Sequence, residues 1–144
     1  MRFSEAHGRK VVSTSTADTI GKVEQLVVDG PAARVVGVTL KRTRTDGDLL
    51  PWGNIAAFGV DAVTVTDEAA VVAAEGRAKD LQGKQFAVLG KRVLTQAGVE
   101  VGVVKDVDFD PVDGTVRALL TDREELSGGR LVDVGSYAVI VTAG

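Results

Sequence analysis

The chain has 144 residues, of which 44% are hydrophobic and 26% are charged, and its formal net charge is −3. This composition supports the core of one ordinary or two very small domains, and the slightly acidic balance argues against a sequence-independent grip on nucleic acid, which needs a basic surface. The sequence contains no Cys, which excludes disulfides, thiolate zinc sites and cysteine nucleophiles.

The chain begins with Met1–Glu5, a stretch that lacks the apolar centre of a signal peptide. No apolar run approaches the roughly 18 residues needed to cross a bilayer. We therefore expect a cytoplasmic protein without membrane insertion.

Short Val-rich runs bounded by Gly, Asp and Pro predict β-strands in the first half of the chain. These runs are Gly8–Val12, Ile20–Asp29, Val35–Leu40 and Gly59–Val65. Many short strands joined by tight turns are typical of an all-β barrel or sandwich.

The second of these strands carries its own irregularity. Leu26 and Val28 are two residues apart and share a face, whereas Val23 lies three residues before Leu26. A regular strand would place Val23 on the opposite face, so we predict a β-bulge near Glu24 and Gln25 that restores the phase.

An Ala-rich segment, Asp67–Lys79, follows the first group of strands. Ala is the best helix former, and the acidic start and basic end of the segment complement a helix dipole. Because Gly76 weakens the middle of the segment, we predict a short helix or two turns there, within a linker over residues 67–89 that separates repeats 1–66 and 90–144.

The second half of the chain repeats the first. Gly21, Asp29 and Val35 correspond to Gly102, Asp110 and Val116, in each case 81 positions later. Two further blocks recur with small offsets, Gly90–Leu94 and Gly135–Val141. The order of four blocks is therefore duplicated, and a second bulge is expected near Lys105 and Asp106.

The pattern G-[KR]-[KR]-V, then [IV]-G-x-V, then an acidic residue that closes the strand, resembles the PRC-barrel family in both copies. Leu50–Ile55 is similar to the family's segment before the last strand, although Gly128–Val134 in the second copy lacks the Pro. The resemblance implies a mainly β protein with two small antiparallel PRC-type β-barrels in tandem. In that family the module docks on other proteins, as in the photosynthetic reaction-centre H subunit and a ribosome-maturation factor, and it is not known for catalysis.

Asp106–Gly114 contains the most suggestive cluster of carboxylates. An EF-hand calcium loop starting at Asp106 needs Gly at its sixth position and Glu at its twelfth, where this chain has Pro111 and Arg117. We interpret the segment as a strand with Asp on its wet face and Val107 and Phe109 inside. A weak cation site is the alternative.

Other candidate residues favour structural roles. His7 is the only histidine, so one chain cannot supply a catalytic triad or a His-rich metal cluster. Trp52 and Tyr137 are predicted to pack in the core or at its rim rather than stack on bases. Lys41–Arg44 is predicted to be a solvated hairpin tip, with a docking spot for an acidic surface as the alternative.

The turn Asp110–Gly114 has the chemistry of a hairpin, because Pro presets φ and Gly permits a positive φ. We predict a positive φ at Gly114 and a cost of about 1–2 kcal/mol for Gly114→Ala. The first copy has Ala33 at the equivalent position, which predicts a different turn there.

Val35–Leu40 does not alternate between apolar and polar residues. Its pattern predicts that Val36, Val38 and Leu40 share one face and Val35 lies on the other. A strand that is apolar on both faces is normally covered on both, so we predict that Val36, Val38, Leu40 and the single Trp52 lie at an interface between barrels or between chains. The alternative is that the three aliphatic residues simply fill the first barrel.

These observations favour a non-enzymatic scaffold or adaptor that holds a protein partner, with a homodimer as one possibility and no cofactor. The alternative is a small-ligand or divalent-ion-binding protein with a site between the two barrels.

Overall fold

The computed structural model describes residues 1–43, 47–73 and 87–143. The first half contains a short helix α1 (Phe3–Ala6) and six strands: β1 (Lys10–Ser13), β2 (Thr19–Asp29), β3 (Arg34–Lys41), β4 (Leu49–Pro51), β5 (Ala57–Phe58) and β6 (Ala62–Val65). The second half contains β7 (Arg92–Thr95), β8 (Glu100–Phe109), β9 (Val116–Thr121), β10 (Glu125–Ser127), β11 (Leu131–Val134) and β12 (Val139–Val141).

The strands form two six-stranded sheets with the same order, β4-β3-β2-β1-β6-β5 and β10-β9-β8-β7-β12-β11. Each sheet uses strands of its own half only, so among the described residues no strand is exchanged between the repeats. Neighbouring strands are antiparallel except for β1 with β6 and β7 with β12, which are parallel. The predicted fold class, a mainly β protein of two similar barrels in tandem, is confirmed.

The registers of the two sheets match. Leu26 pairs with Val38 in the first sheet, and Val107 pairs with Leu119 in the second. The residue numbers of both paired residues differ by 81 between the two sheets, as the sequence repeat requires. Whether 1–66 and 90–144 are separable units stays a prediction.

The predicted bulges are present in both long strands. Val23 pairs with Leu40 and Gln25 with Thr39, so Glu24 is the extra residue. In the second sheet the register shifts between Val104 and Asp106. The shift keeps Val23 on the buried face with Leu26, which is the physical reason for an extra residue there.

The basic residue after the first glycine of each repeat donates a side-chain hydrogen bond to a backbone carbonyl in a distant turn of the same repeat. Nη1 of Arg9 donates to the carbonyl of Gly59 at 2.8 Å, and Nζ of Lys91 donates to the carbonyl of Gly135 at 2.7 Å. Burial lowers the pKa of Lys91. The G-[KR] motif therefore anchors β1 and β7 to the turns that precede β6 and β12.

One continuous hydrophobic cluster runs through both barrels. It includes Phe3, Val23 and Val38 from the first half and Val104 and Phe109 from the second. The two repeats therefore share a core, and each barrel contributes to the burial of the other.

The prediction that Val36 shares a face of β3 with Val38 and Leu40, and that Val35 lies on the other face, is wrong. Val28 pairs with Val35 and Val27 with Gly37, so Val36 is an extra residue in a second bulge. This bulge brings Val35 onto the core face together with Val38 and Leu40, and all three are buried there.

Val36 packs instead on a small second cluster formed by Val27, Leu49 and Val72. Leu49 and Val72 exchange two backbone hydrogen bonds, of 3.1 and 2.8 Å. The chain segment that follows β6 thus pairs with the edge of β4 and places Val72 against this small cluster.

The start of the Ala-rich segment forms a single 3₁₀ turn, Glu68–Ala70, and Asp67 caps it by accepting from the Ala69 N–H at 2.9 Å. Val71 is already extended. The rest of the predicted helix, from residue 74 on, lies outside the described residues. None of the helices in the described ranges is long and apolar enough to cross a membrane.

Candidate functional site

The two barrels meet through the turns that precede β3 and β9. Val35 N donates to the carbonyl of Gly114 at 2.7 Å, and Val116 N donates to the carbonyl of Ala33 at 2.9 Å. Arg34 and Thr115, which are equivalent residues, form an isolated antiparallel bridge. Each contact is the mirror of the other under the 81-residue offset, which is the pattern of an isologous two-fold contact.

The turns at this contact have a left-handed residue at the same position in both repeats. Gly114 has φ +81°, as predicted, and Ala33 has φ +51° although it is not a glycine. The turns nevertheless close differently, as predicted, because Ala33 N donates to the carbonyl of Gly30 at 3.0 Å and Gly114 N donates to the carbonyl of Asp110 at 2.8 Å. The carbonyl of Ala33 must reach Val116, and this requirement holds a non-glycine residue in a conformation that costs about 1–2 kcal/mol.

The N-terminal segment of the first repeat packs on the second barrel. Phe109 N donates to the carbonyl of Met1 at 2.8 Å, and Ser4 N donates to Oδ1 of Asp106 at 3.0 Å. The amino group of Met1 lies 3.0 Å from Oδ1 of Asp108. These contacts occupy Asp106 and Asp108, two of the carboxylates of the candidate cation site.

The remaining carboxylates of the Asp-rich strand serve as turn caps. Asp110 accepts from the Val112 N–H at 2.7 Å and pairs with Arg117 at 2.9 Å, and Asp113 accepts from the Thr115 N–H at 2.8 Å. The backbone N–H donors hold the pKa of both carboxyl groups below the ordinary value. Within the described ranges, no three His, Cys, Asp or Glu side chains converge as a metal site would require.

His7 lies at a cleft between the barrels. Its ring meets Phe3 edge-on at 5.8 Å, and the side chain is exposed. The cleft has a volume of about 170 Å³ and takes lining residues from both barrels, among them the equivalent pair Leu26 and Val107. We call it the axis cleft.

An aromatic cluster lies on another side of the contact between the barrels. Trp52 and Phe58 of the first barrel are stacked at 5.7 Å, and Phe109 of the second barrel meets both edge-on, at 6.2 and 5.4 Å. Nε1 of Trp52 donates to the carbonyl of Val112 across a long 3.4 Å. Trp52 thus lies at the interface between barrels, with part of its ring exposed.

A groove of about 300 Å³ opens beside this cluster. We call it the junction groove, and it is lined by Trp52, Ile55, Ala56, Ala57, Phe58, Pro111 and Val112. Its lining carries no charged side chain, and Val112 is 86% exposed at its rim. Large exposed aliphatic side chains that gather around a concave surface are typical of binding sites.

The four predicted interface residues are thus in different places. Trp52 lies at the barrel contact, Val38 and Leu40 lie in the shared core, and Val36 packs against the separate cluster of Val27 and Leu49. Whether any of them contacts another chain stays a prediction. Sequence reasoning missed the junction groove, because Phe58 and Val112 come together only when the two barrels dock.

Two other candidates from the sequence, Tyr137 and the basic hairpin tip, lie at the surface. Tyr137 is 68% exposed and accepts a 2.9 Å hydrogen bond from Nη1 of Arg92, so it lies at the surface rather than in the core or rim. In the predicted basic hairpin tip, Lys41 and Arg42 are exposed, whereas Arg44 lies outside the described residues.

The model of the PRC-barrel domain family matches the chain twice, over residues 1–73 and 87–143. No curated protein matches the chain significantly. The two matched segments contain the two six-stranded sheets, and together they cover most of the sequence. The chain therefore belongs to the PRC-barrel family and carries two copies of its domain.

Proposed function

We propose that the chain is a non-enzymatic scaffold or adaptor that holds a protein partner at the junction of its two barrels. The observation that supports this most is the junction groove, an uncharged concave surface with the exposed Val112 at its rim. Apolar and aromatic anchors in a pocket supply most of the binding energy of protein interfaces.

The arrangement of polar groups points the same way. Asp106, Asp108, Asp110 and Asp113 are all engaged in contacts that stabilise turns or fasten the N-terminal segment. Groups committed in this way are poorly placed to act as general acids or bases on a substrate. We therefore propose a binding role. We further propose that the protein acts in the cytoplasm.

A second candidate function has its own observation. The axis cleft, at about 170 Å³, takes its lining from both barrels and includes His7 and Glu24. These features favour a small-ligand or divalent-ion site between the barrels, the alternative raised by the sequence.

Purification of the tagged full chain from its native cell, after crosslinking, separates the two candidates. The adaptor role predicts a stoichiometric protein partner that binds again when both proteins are purified. The second candidate predicts no such partner. It predicts instead a rise in the thermal midpoint with one compound of a metabolite and divalent-ion panel, because a ligand that binds only the folded state stabilises it.

A further inference from the structure

We propose that the outer edge of β5, together with the junction groove, binds an extended apolar segment of a partner protein. The segment adds a strand to the first sheet and inserts an uncharged side chain beside Trp52. This inference rests on the proposed adaptor function and names the surface and the chemistry that the partner presents.

A comparison of the four sheet edges identifies β5. Unpaired edges invite further strands, and proteins protect them by covering them or by placing charges there. The edge of β4 is paired with Val72, and the edge of β10 carries the exposed Glu125. The edge of β11 lies against the turn at Gly30, where a Cβ on Gly30 would come within 2.6 Å of Asp133 Cα.

The edge of β5 has neither protection in the described part of the chain. Ala57 is exposed and uncharged, as is the preceding Ala56. Small side chains let another backbone approach closely, and the residues that line the groove beside them are uncharged. β5 is therefore the edge at which strand addition meets the least opposition.

The internal two-fold relation shows why a groove exists on this side. The turn at Gly30 in the first repeat closes tightly on β11, and its equivalent in the second repeat begins with Pro111, which faces β5. At the position of Trp52 the second repeat has Gly128, which packs on the Val116 carbonyl of its own repeat and leaves no side chain at the contact between the barrels. The contact is therefore tight at Gly30, whereas Pro111 and Trp52 line an open groove on the β5 side.

The lining determines what the groove accepts. It contains no charged side chain, so a charged group inserted there would lose its hydration without a partner. β5 has only two residues, so backbone pairing alone gives few hydrogen bonds. The partner must therefore also contribute apolar side chains at alternate positions, as in other cases of strand addition.

A second copy of this chain fits the surface less well. Two β5 strands paired across a symmetry axis would share a two-residue ladder, and the residues around that ladder, Ala56, Ala57 and Gly59, carry no large side chain to place in the facing groove. A separate partner with a longer extended segment satisfies both the edge and the groove.

The test uses a phage-displayed library of random peptides, selected on the purified full chain. Retained peptides are then measured against three variants that each introduce one lysine. Val112→Lys changes the groove rim at an 86% exposed position, and Ala57→Lys places a charge on the edge. Val99→Lys is the matched control, since Val99 is 57% exposed and does not line the groove. Circular dichroism verifies that each variant is folded.

We expect peptides with aliphatic or aromatic residues at alternate positions, whose affinity falls at least about tenfold in the two groove variants and is unchanged in the control. Selected peptides that bind all three variants equally would overturn the inference while the adaptor function survives at another surface. Failure to select any peptide would also overturn it, and the crosslinking experiment would then decide the adaptor role by itself. A wild-type dimer that sediments as a monomer after Ala57→Lys would assign the edge to a second copy and refute the separate partner.

Discussion

Gly114 offers the sharpest test of the contact between the barrels. Its φ of +81° is shared by Gly98, which lies in the turn between β7 and β8. The two glycines differ in their surroundings. A Cβ on Gly98 would have no neighbour within 4 Å, whereas a Cβ on Gly114 would lie 2.7 Å from the Val35 carbonyl oxygen and 3.2 Å from Cε2 of Trp52. The pair Gly98→Ala and Gly114→Ala therefore separates backbone strain from crowding.

The expected magnitudes follow from these distances. Gly98→Ala changes only the backbone preference, which costs about 1 kcal/mol after the gain from a less flexible unfolded chain. Gly114→Ala has the same cost, and it also pushes apart two backbones joined by the 2.7 Å bond from Val35 N to the Gly114 carbonyl. Loss of that hydrogen bond and overpacking add about 1–3 kcal/mol. We expect a total of about 2–4 kcal/mol for Gly114→Ala.

Urea unfolding followed by circular dichroism measures both variants, and the fluorescence of Trp52, the only tryptophan, reports on the contact itself. We expect a larger loss of stability and a shifted emission spectrum for Gly114→Ala alone. Equal losses in the two variants, with unchanged fluorescence, would refute the conclusion that Gly114 is needed for the approach of the barrels.

Three further predictions follow from single features. Ala17 is exposed, has φ +61°, and occupies the position that Gly98 occupies in the second repeat. Ala17→Gly should therefore raise the free energy of unfolding, measured in urea, by about 0.5–1 kcal/mol. A lower free energy of unfolding in this variant would show that Ala17 is not strained. Val38 is 0% exposed, and a buried unpaired charge costs several kcal/mol. Val38→Asp should therefore abolish the folded circular dichroism spectrum, whereas Val36→Asp should retain it. A Val38→Asp variant that stays folded but no longer self-associates would instead show that Val38 lies at an interface between chains. The backbone N–H groups of Val112, Thr115 and Val103 lower the pKa of Asp110, Asp113 and Asp122 below the ordinary value of 3.8. The stability that these ionised carboxylates contribute is therefore complete above that value and is lost as the pH falls through their folded pKa values. The thermal midpoint should drop below about pH 4, and it should drop less steeply in Asp110→Asn; parallel curves for the two proteins would show that Asp110 plays no part.

Much of each barrel could be predicted from the sequence, because the information is local. The bulge at Glu24 follows from the spacing of Val23 and Leu26, and the positive φ at Gly114 follows from the turn chemistry of Asp110–Gly114. Both depend on the period-two geometry of strands and on the φ preferences of single residues. The duplication then repeats these local choices at the same register in the second sheet.

The position of Val36 could not be predicted from this pattern. An alternation rule assumes an unbroken strand, and the second bulge in β3 transfers Val35 to the core and Val36 to the outer face. The bulge is a property of two paired strands, so the sequence of one strand does not reveal it. The same limit applies to Ala33, whose left-handed φ is imposed by its bond to Val116 in the other barrel.

The duplication, four of the six strands in each repeat, the family and the absence of cysteine chemistry could all be predicted from the sequence, since each depends on residues close together along the chain. Three features became visible only in the docked barrels: the aromatic cluster of Trp52, Phe58 and Phe109, the contacts of the N-terminal segment with Asp106 and Asp108, and the groove beside β5. These features arise where the two repeats meet, and two barrels of the same pattern can dock in different ways. The difference between Trp52 and Gly128 shows this limit, because Trp52 lies within van der Waals distance of Gly114 in the opposite barrel, whereas Gly128 packs on Val116 of its own repeat.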